Sequence, residues 1–121
     1  MKVLVTGAGG QLATELERTV PGGAEFEALT IEQLCVTDRE DVLRTVGAAR
    51  PDVLINAAAY TAVDKAEEEE ALATRINGDG PRHLAEAAAE HGSRLVHIST
   101  DFVFDGKASR PWRPDDAAKP I

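Results

Sequence analysis

The sequence predicts an α/β fold of the Rossmann type: a parallel sheet with flanking helices, truncated after its fourth strand. Three observations predict it. The chain opens on an apolar run, Lys2–Thr6, that passes straight into a glycine turn, Gly7-x-x-Gly10-x-x-Ala13, and then into a helical pattern. Strand-like and helix-like segments then alternate with short links, as they do where parallel strands are joined by right-handed crossovers. The composition, 43% hydrophobic and 28% charged over 121 residues, is that of one globular domain.

Each element has its own warrant. Lys2–Thr6 is rich in Val and Leu, the pattern of a parallel strand buried on both faces. Gln11–Val20 spaces Leu12, Leu16 and Val20 four apart, which predicts a helix with one apolar stripe, ended by Pro21-Gly22-Gly23. Glu25–Leu29 reads as a second strand. Thr37 or Asp38 can cap a helix over Arg39–Ala49 with the stripe Val42, Val46 and Ala49, and Pro51-Asp52 breaks it. Val53-Leu54-Ile55 is the third strand. Asp64–Asn77 is predicted as one helix and Pro81–His91 as another, closed by Gly92. Leu95–Ile98 is the fourth strand. After Gly106 the pattern dissolves into Pro111, Trp112, Pro114 and Pro120, with Trp112 open to reading as a packing residue or an exposed anchor. A doubly wound dinucleotide fold has two further strands beyond this point, so residues 1–121 are expected to be an incomplete NAD(P)-binding domain.

Charge and cysteine content narrow the function. A net charge of −8 and a pI near 4.8 disfavour polyanions, so neither nucleic acid nor an anionic membrane is an expected partner. A single cysteine, Cys35, allows no internal disulfide and no cysteine zinc cluster. Without a spanning apolar run or a signal-peptide pattern, the expected compartment is the cytoplasm. His83, His91 and His97 lack ligand spacing, and His97 falls inside a buried strand pattern, which points to packing. Glu67–Glu70 reads as a solvated helix start rather than a metal site.

Chemistry concentrates at the strand ends. In the glycine turn, Gly7 permits the sharp turn, Gly10 lets the backbone approach a phosphate, and Ala13 adds one methyl where helix meets strand. A helix start with bare N–H groups suits the pyrophosphate of a dinucleotide. The region after the second strand, Thr30-Ile31-Glu32, has no Arg for a 2′-phosphate, and Glu32 is open to reading as a ribose contact or a surface residue. The third strand ends in Asn56-Ala57-Ala58-Ala59-Tyr60, whose small side chains let a ligand lie against the backbone. The fourth ends in Ser99-Thr100-Asp101, a hydroxyl pair that can polarise a carbonyl or, equally, cap its own turn.

These motifs resemble one family. Thr6-Gly7-x-x-Gly10-Gln11-Leu12, the run Pro51-Asp52-Val53-x-Ile55-Asn56 through Tyr60-Thr61-Ala62-Val63-Asp64-Lys65-Ala66-Glu67, and Ser99-Thr100-Asp101-x-Val103-Phe104-Asp105-Gly106 are together similar to the dTDP-4-dehydrorhamnose reductases. These are extended short-chain dehydrogenases/reductases of dTDP-rhamnose biosynthesis, and the likeness covers the whole chain in order. The resemblance implies reduction of a 4-keto nucleotide sugar with NADPH or NADH. It assigns Gly7, Gly10, Gln11, Leu12, Val36, Ala57, Ala58, Ala59 and Ser99 to the cofactor, and Val63, Thr100, Asp101 and Phe102 to the dTDP-sugar substrate, with Thr100 the catalytic hydroxyl. Glu15 matches a glutamate that some members use at a magnesium-linked dimer interface; a homodimer is therefore admitted, but no metal is assigned.

The sequence departs from the family in four places. The sole tyrosine is Tyr60, followed four residues on by Asp64, so the family's Tyr-x-x-x-Lys is not in this chain; the resemblance places it just past Pro114–Ile121. Cys35 stands where an Asp is usual, Phe102 where a Tyr is usual, and Ala13 at the third glycine. The first departure implies a chain that is inactive by itself. Two other readings stand beside it: a non-catalytic nucleotide-binding subunit like the regulatory subunits of methionine adenosyltransferase, and a truncated product without function.

Overall fold

In the computed structural model, which describes residues 1–120, four parallel strands form one sheet in the order β2-β1-β3-β4. The strands are β1 (Lys2–Thr6), β2 (Glu25–Leu29), β3 (Val53–Asn56) and β4 (Arg94–His97). Their registers bring Thr6, Leu29, Asn56 and His97 to the same end of the sheet. Helix α1 (Gln11–Arg18) links β1 to β2, and α2 (Arg39–Ala49) links β2 to β3.

Alternation along the strands explains the layering. Val3 and Val5 project to one face, where they pack with Ala13 and Leu16 of α1. Leu4 and Leu54 project to the other, against Val42 and Val46 of α2 and Leu84, Ala87 and Ala88 of a further helix, α5 (Gly80–His91). Leu4, Val42, Val46, Leu54 and Leu84 have no exposed surface. With α1 on one face and α2 and α5 on the other, the winding reverses between β1 and β3. That reversal opens a crevice at their C-terminal ends, where open α/β sheets take ligands.

Capping follows the chemistry of the termini. The Asp38 carboxylate accepts from the Asp41 N–H at the start of α2, which decides between the two expected caps. Gly92, at φ +72°, closes α5 in the left-handed conformation and donates to the Ala88 carbonyl.

Four expectations need correction. Helix α1 stops at Arg18, and of the expected stripe Leu16 packs on the sheet whereas Leu12 faces solvent, with Ala13 the buried residue in its stead. The single helix over Asp64–Asn77 is two short ones, α3 (Val63–Ala66) and α4 (Glu70–Thr74), with the break among consecutive glutamates whose like charges disfavour a continuous helix. Helix α4 runs on through a wider π turn, Arg75–Asp79, into α5. The wide turn precedes Pro81, which has no N–H to donate and whose ring would strike the carbonyl four residues back in a regular α-helix. Gly80 is buried where this helix meets Val36, whose Cγ2 lies 2.9 Å from the place a Cβ would occupy. The fourth strand is not buried: Val96 is 39% exposed and His97 faces solvent, because β4 pairs only with β3 among the described residues. No described helix is long and apolar enough to cross a membrane.

Candidate functional site

The glycine turn packs directly against the end of β3. Gly7 has φ +83°, and a Cβ there would lie 2.8 Å from the Ala58 nitrogen and 2.9 Å from the Ala57 carbonyl carbon. Only glycine supplies both the left-handed backbone and the close approach. The Gly7 and Ala8 N–H groups are already spent on the Leu29 carbonyl, at 3.1 and 2.9 Å. Gly10 turns back to donate to the Gly7 carbonyl at 3.1 Å and then caps α1 without a side chain. The first intrahelical donor is Thr14, to the Gly10 carbonyl, so the N–H groups of Gln11, Leu12 and Ala13 have no partner among the described residues. Two of the expected cofactor residues, Gln11 and Leu12, thus present unpartnered backbone N–H groups. The positive end of α1 adds its dipole, and no acidic side chain occupies the first turn to compete with an anion.

A buried polar network ties this turn to the neighbouring strand ends. The Thr6 hydroxyl donates to Asn56 Oδ1 at 2.7 Å, and both residues are 1% exposed. The Ala58 N–H also donates to Asn56 Oδ1, at 3.2 Å, which fixes the amide's orientation. Asn56 Nδ2 therefore donates to His97 Nδ1, 3.1 Å away, and the neutral imidazole carries its proton on Nε2. His97 is thus an exposed hydrogen-bonding residue, which corrects its reading as a packed one.

Ala57–Ala59 lie between this network and a second tie. Asn77, in the π turn, accepts from the Tyr60 N–H at 2.8 Å and donates to the Tyr60 carbonyl at 3.1 Å, as a neighbouring strand would. The Tyr60 phenol donates to the Glu69 carboxylate. That bond, above all, raises the Tyr60 pKa, with desolvation and the Glu69 charge adding to it. The Tyr60 phenol is therefore a weaker acid than a free tyrosine.

The post-β4 residues meet the capping geometry. Thr100 Oγ1 accepts from the Phe102 N–H at 3.2 Å, capping the 3₁₀ turn Asp101–Val103. Capping uses an oxygen lone pair, and the Thr100 hydroxyl donates its proton to Asp101 Oδ1 at 3.4 Å, a long bond that a closer acceptor could replace. Ser99, Thr100 and Asp101 are exposed, as are Val63 at 71% and Phe102 at 72%.

Other residues have local duties. Val36 is buried in the core at 6% exposure, and its carbonyl accepts from His83 Nδ1 at 3.0 Å, which leaves little of it for a ligand. A Thr30 hydrogen bond lowers the Glu32 pKa, with the Glu32 backbone N–H assisting. Glu15 pairs with Arg18 at 2.5 Å. Two surface concavities flank the outer edge of β2, lined by Lys2, Glu27 and, in one, Gln33 and Arg44, away from the glycine turn.

The proline-rich tail is ordered by its own contacts. Trp112 stacks on Phe104 with ring centroids 4.3 Å apart, so it is a packing residue. Arg110, foremost, and the Arg113 N–H hold the Asp116 carboxyl down at about 2. A depressed carboxylate stabilises its fold above its unfolded value, 3.8, and loses that contribution as pH falls through the folded value. Fluorescence of Trp112, the only tryptophan, should therefore hold its stacked signature at pH 4 and lose it towards pH 2. A transition centred above pH 4 would contradict the pairing.

Sequence reading left Asn56, Thr6 and Asn77 out of the site. A polar residue closing an otherwise apolar strand was the signal for Asn56. Asn77 had none, because the turn that aims it appears only where two helices join.

The chain is similar to known proteins over its whole length. The family model described as RmlD substrate binding domain matches residues 1–121. The spore coat polysaccharide biosynthesis protein SpsK of Bacillus subtilis is 45% identical over 98% of this chain and 42% of its own length. A dTDP-4-dehydrorhamnose reductase of Streptomyces griseus is 48% identical over 97% of this chain and 39% of its own. The crystal structure of the Bacillus anthracis dTDP-4-dehydrorhamnose reductase in complex with NADP superposes with a TM-score of 0.96 at 36% identity, covering 99% of this chain and 43% of that one. The chain spans about 42% of the length of the SpsK relative. By its full-length match to the family model, the chain belongs to the RmlD substrate-binding-domain family.

Proposed function

We propose that the chain is the N-terminal, cofactor-binding part of a cytoplasmic reductase that converts dTDP-4-dehydro-6-deoxy-L-mannose to dTDP-L-rhamnose with NADPH or NADH. The observation that carries this reading is the unpartnered N–H cradle of Gln11, Leu12 and Ala13, set beside the Gly7 contact with the Ala57–Ala58 peptide. A pyrophosphate fits that cradle, since it needs donors, a positive dipole and no side chain in the way. The Ala57–Ala59 backbone, fixed by Asn56 and Asn77, gives the rest of the dinucleotide a flat wall.

When bound, the reduced nicotinamide supplies the hydride. Thr100 orients the keto oxygen by turning its hydroxyl proton from the long bond to Asp101 onto the substrate, while Val63 and Phe102 offer apolar surface to the sugar nucleotide. Proton delivery needs a group this chain does not contain, because its only tyrosine is engaged with Glu69. The chain alone should bind the cofactor and leave the keto-sugar unreduced.

Titration with NADPH and with NADH tests the reading through nucleotide fluorescence and chemical denaturation. Ligand at a hundred times its dissociation constant should stabilise the fold by about 2.7 kcal/mol. A folded chain that gains nothing from either nucleotide refutes it.

A further inference from the structure

We propose that Arg110 and Asp116 are positioning residues: their ion pair closes the tail into a clasp that holds the turn bearing Thr100 and Phe102. The proposal rests on the reading of Thr100 and Phe102 as the sugar-facing residues.

Beyond β4 the chain has no strand or α-helix through residue 120, and its order comes from side chains. Arg110 straddles the Asp116 carboxylate, with Nη1 2.7 Å from Oδ2 and Nη2 2.6 Å from Oδ1. This planar fork is far more directional than a single ion contact. The Arg113 N–H adds a third donor to Oδ2 at 2.8 Å, and Arg110 Nη1 also reaches the Pro111 carbonyl at 2.9 Å. The Asp116 side chain is only 16% exposed. The pair therefore encloses Pro111 to Asp115 in a small loop, with Trp112 within it.

The loop and the segment just after it are each anchored once on the residues that follow Phe102. Trp112 stacks on Phe104 with the ring planes 5° from parallel. The Lys119 N–H donates to the Val103 carbonyl at 2.9 Å. Val103 ends the three-residue 3₁₀ turn, and Phe104 caps it with an N–H to the Asp101 carbonyl at 3.1 Å. Tilting either residue would draw the Phe102 N–H away from Thr100 Oγ1, now 3.2 Å distant. That one bond selects which face of the Thr100 oxygen is occupied and where its proton can point. The line from Asp116 to the hydroxyl thus runs through ring stacking and two main-chain bonds, without touching the hydrophobic core.

The decisive comparison is the chain against Asp116→Ala, with Asp116→Asn as the isosteric second variant and Arg110→Lys as the conservative one. Trp112 reports the clasp through acrylamide quenching, and amide exchange at Phe102 reports the Thr100 cap. In Asp116→Ala, Trp112 quenching should rise and Phe102 exchange should accelerate about ten-fold or more, while the paired amides of β1 and β3 stay unchanged. Arg110→Lys, which keeps the charge but loses the fork, should fall between. A freed Trp112 with unchanged Phe102 exchange overturns the proposal, in either Asp116 variant. Binding of dTDP-rhamnose separates the two readings. Weaker binding in Asp116→Ala with unaltered NADPH affinity supports both. A parent chain that ignores dTDP-rhamnose while the amide result holds refutes the sugar-facing role of Thr100 and leaves the clasp standing.

Discussion

Gly7→Ala should destabilise the chain by about 2–4 kcal/mol and weaken NADPH binding about ten-fold or more. Two effects combine. The residue sits at φ +83°, where a Cβ meets its own carbonyl, and the new methyl would stand 2.8–2.9 Å from the Ala57–Ala58 peptide. Those neighbours are backbone, held by the Asn56 amide, so they cannot swing aside as a flexible side chain would. Relief can come only from parting the β1 turn from the β3 loop, which widens the crevice proposed for the dinucleotide. Gly9→Ala is the control: its φ is +86°, but a Cβ there meets nothing within 4 Å. It should show the conformational penalty alone, about 1–2 kcal/mol, with the larger share of affinity kept. Equal losses in the two variants, measured by urea denaturation and nucleotide titration, would show that the close approach is immaterial.

The second large effect is expected at Asn56. Asn56→Ala strips the acceptor from the buried Thr6 hydroxyl, leaves the Ala58 N–H only its longer bond to Thr6 Oγ1 at 3.4 Å, and orphans His97 Nδ1. Leaving such groups unsatisfied should lower stability by about 2–3 kcal/mol, and NADPH affinity should fall several-fold because the Ala58 backbone loses its tether. Asn56→Asp separates the roles of the amide. The carboxylate still accepts from Thr6 and Ala58, while the group facing His97 changes from donor to acceptor. The imidazole must then present a proton from Nδ1, so the nitrogen chemical shifts of His97 should exchange their protonated and unprotonated signatures. The loop should stay in place and keep most of its affinity. A His97 ring with an unaltered tautomer in this variant would mean the network does not reach across β4.

Much of this architecture could be read from residues adjacent in the chain. The apolar run of β1, the glycines after it, the Asp38 cap and the Gly92 stop each act within a few positions, so local sequence carries them. The same holds for the small side chains of Ala57–Ala59. Helix Asp64–Asn77 failed as a single element at its run of glutamates, whose like charges oppose the helical pattern that the apolar spacing suggests, and its far end depends on Pro81 and on Gly80 meeting Val36 across the core. Leu12 failed likewise, since a four-residue spacing cannot say which of two neighbouring columns meets the sheet.

By itself the sequence determined the Rossmann class, the order of the strands and the motifs that the family shares. Those depend on periodicity, on glycine's freedom and on short motifs, all of which are properties of neighbours along the chain. Only the tertiary structure decided that Thr6, Asn56 and His97 join across three strands, that Asn77 grips Tyr60, and that Arg110 and Asp116 close the tail. Each of those is a hydrogen bond whose partners are set by strand register, a helix junction or a folded loop, and hydrogen bonds form only when geometry brings donor and acceptor within about 3 Å.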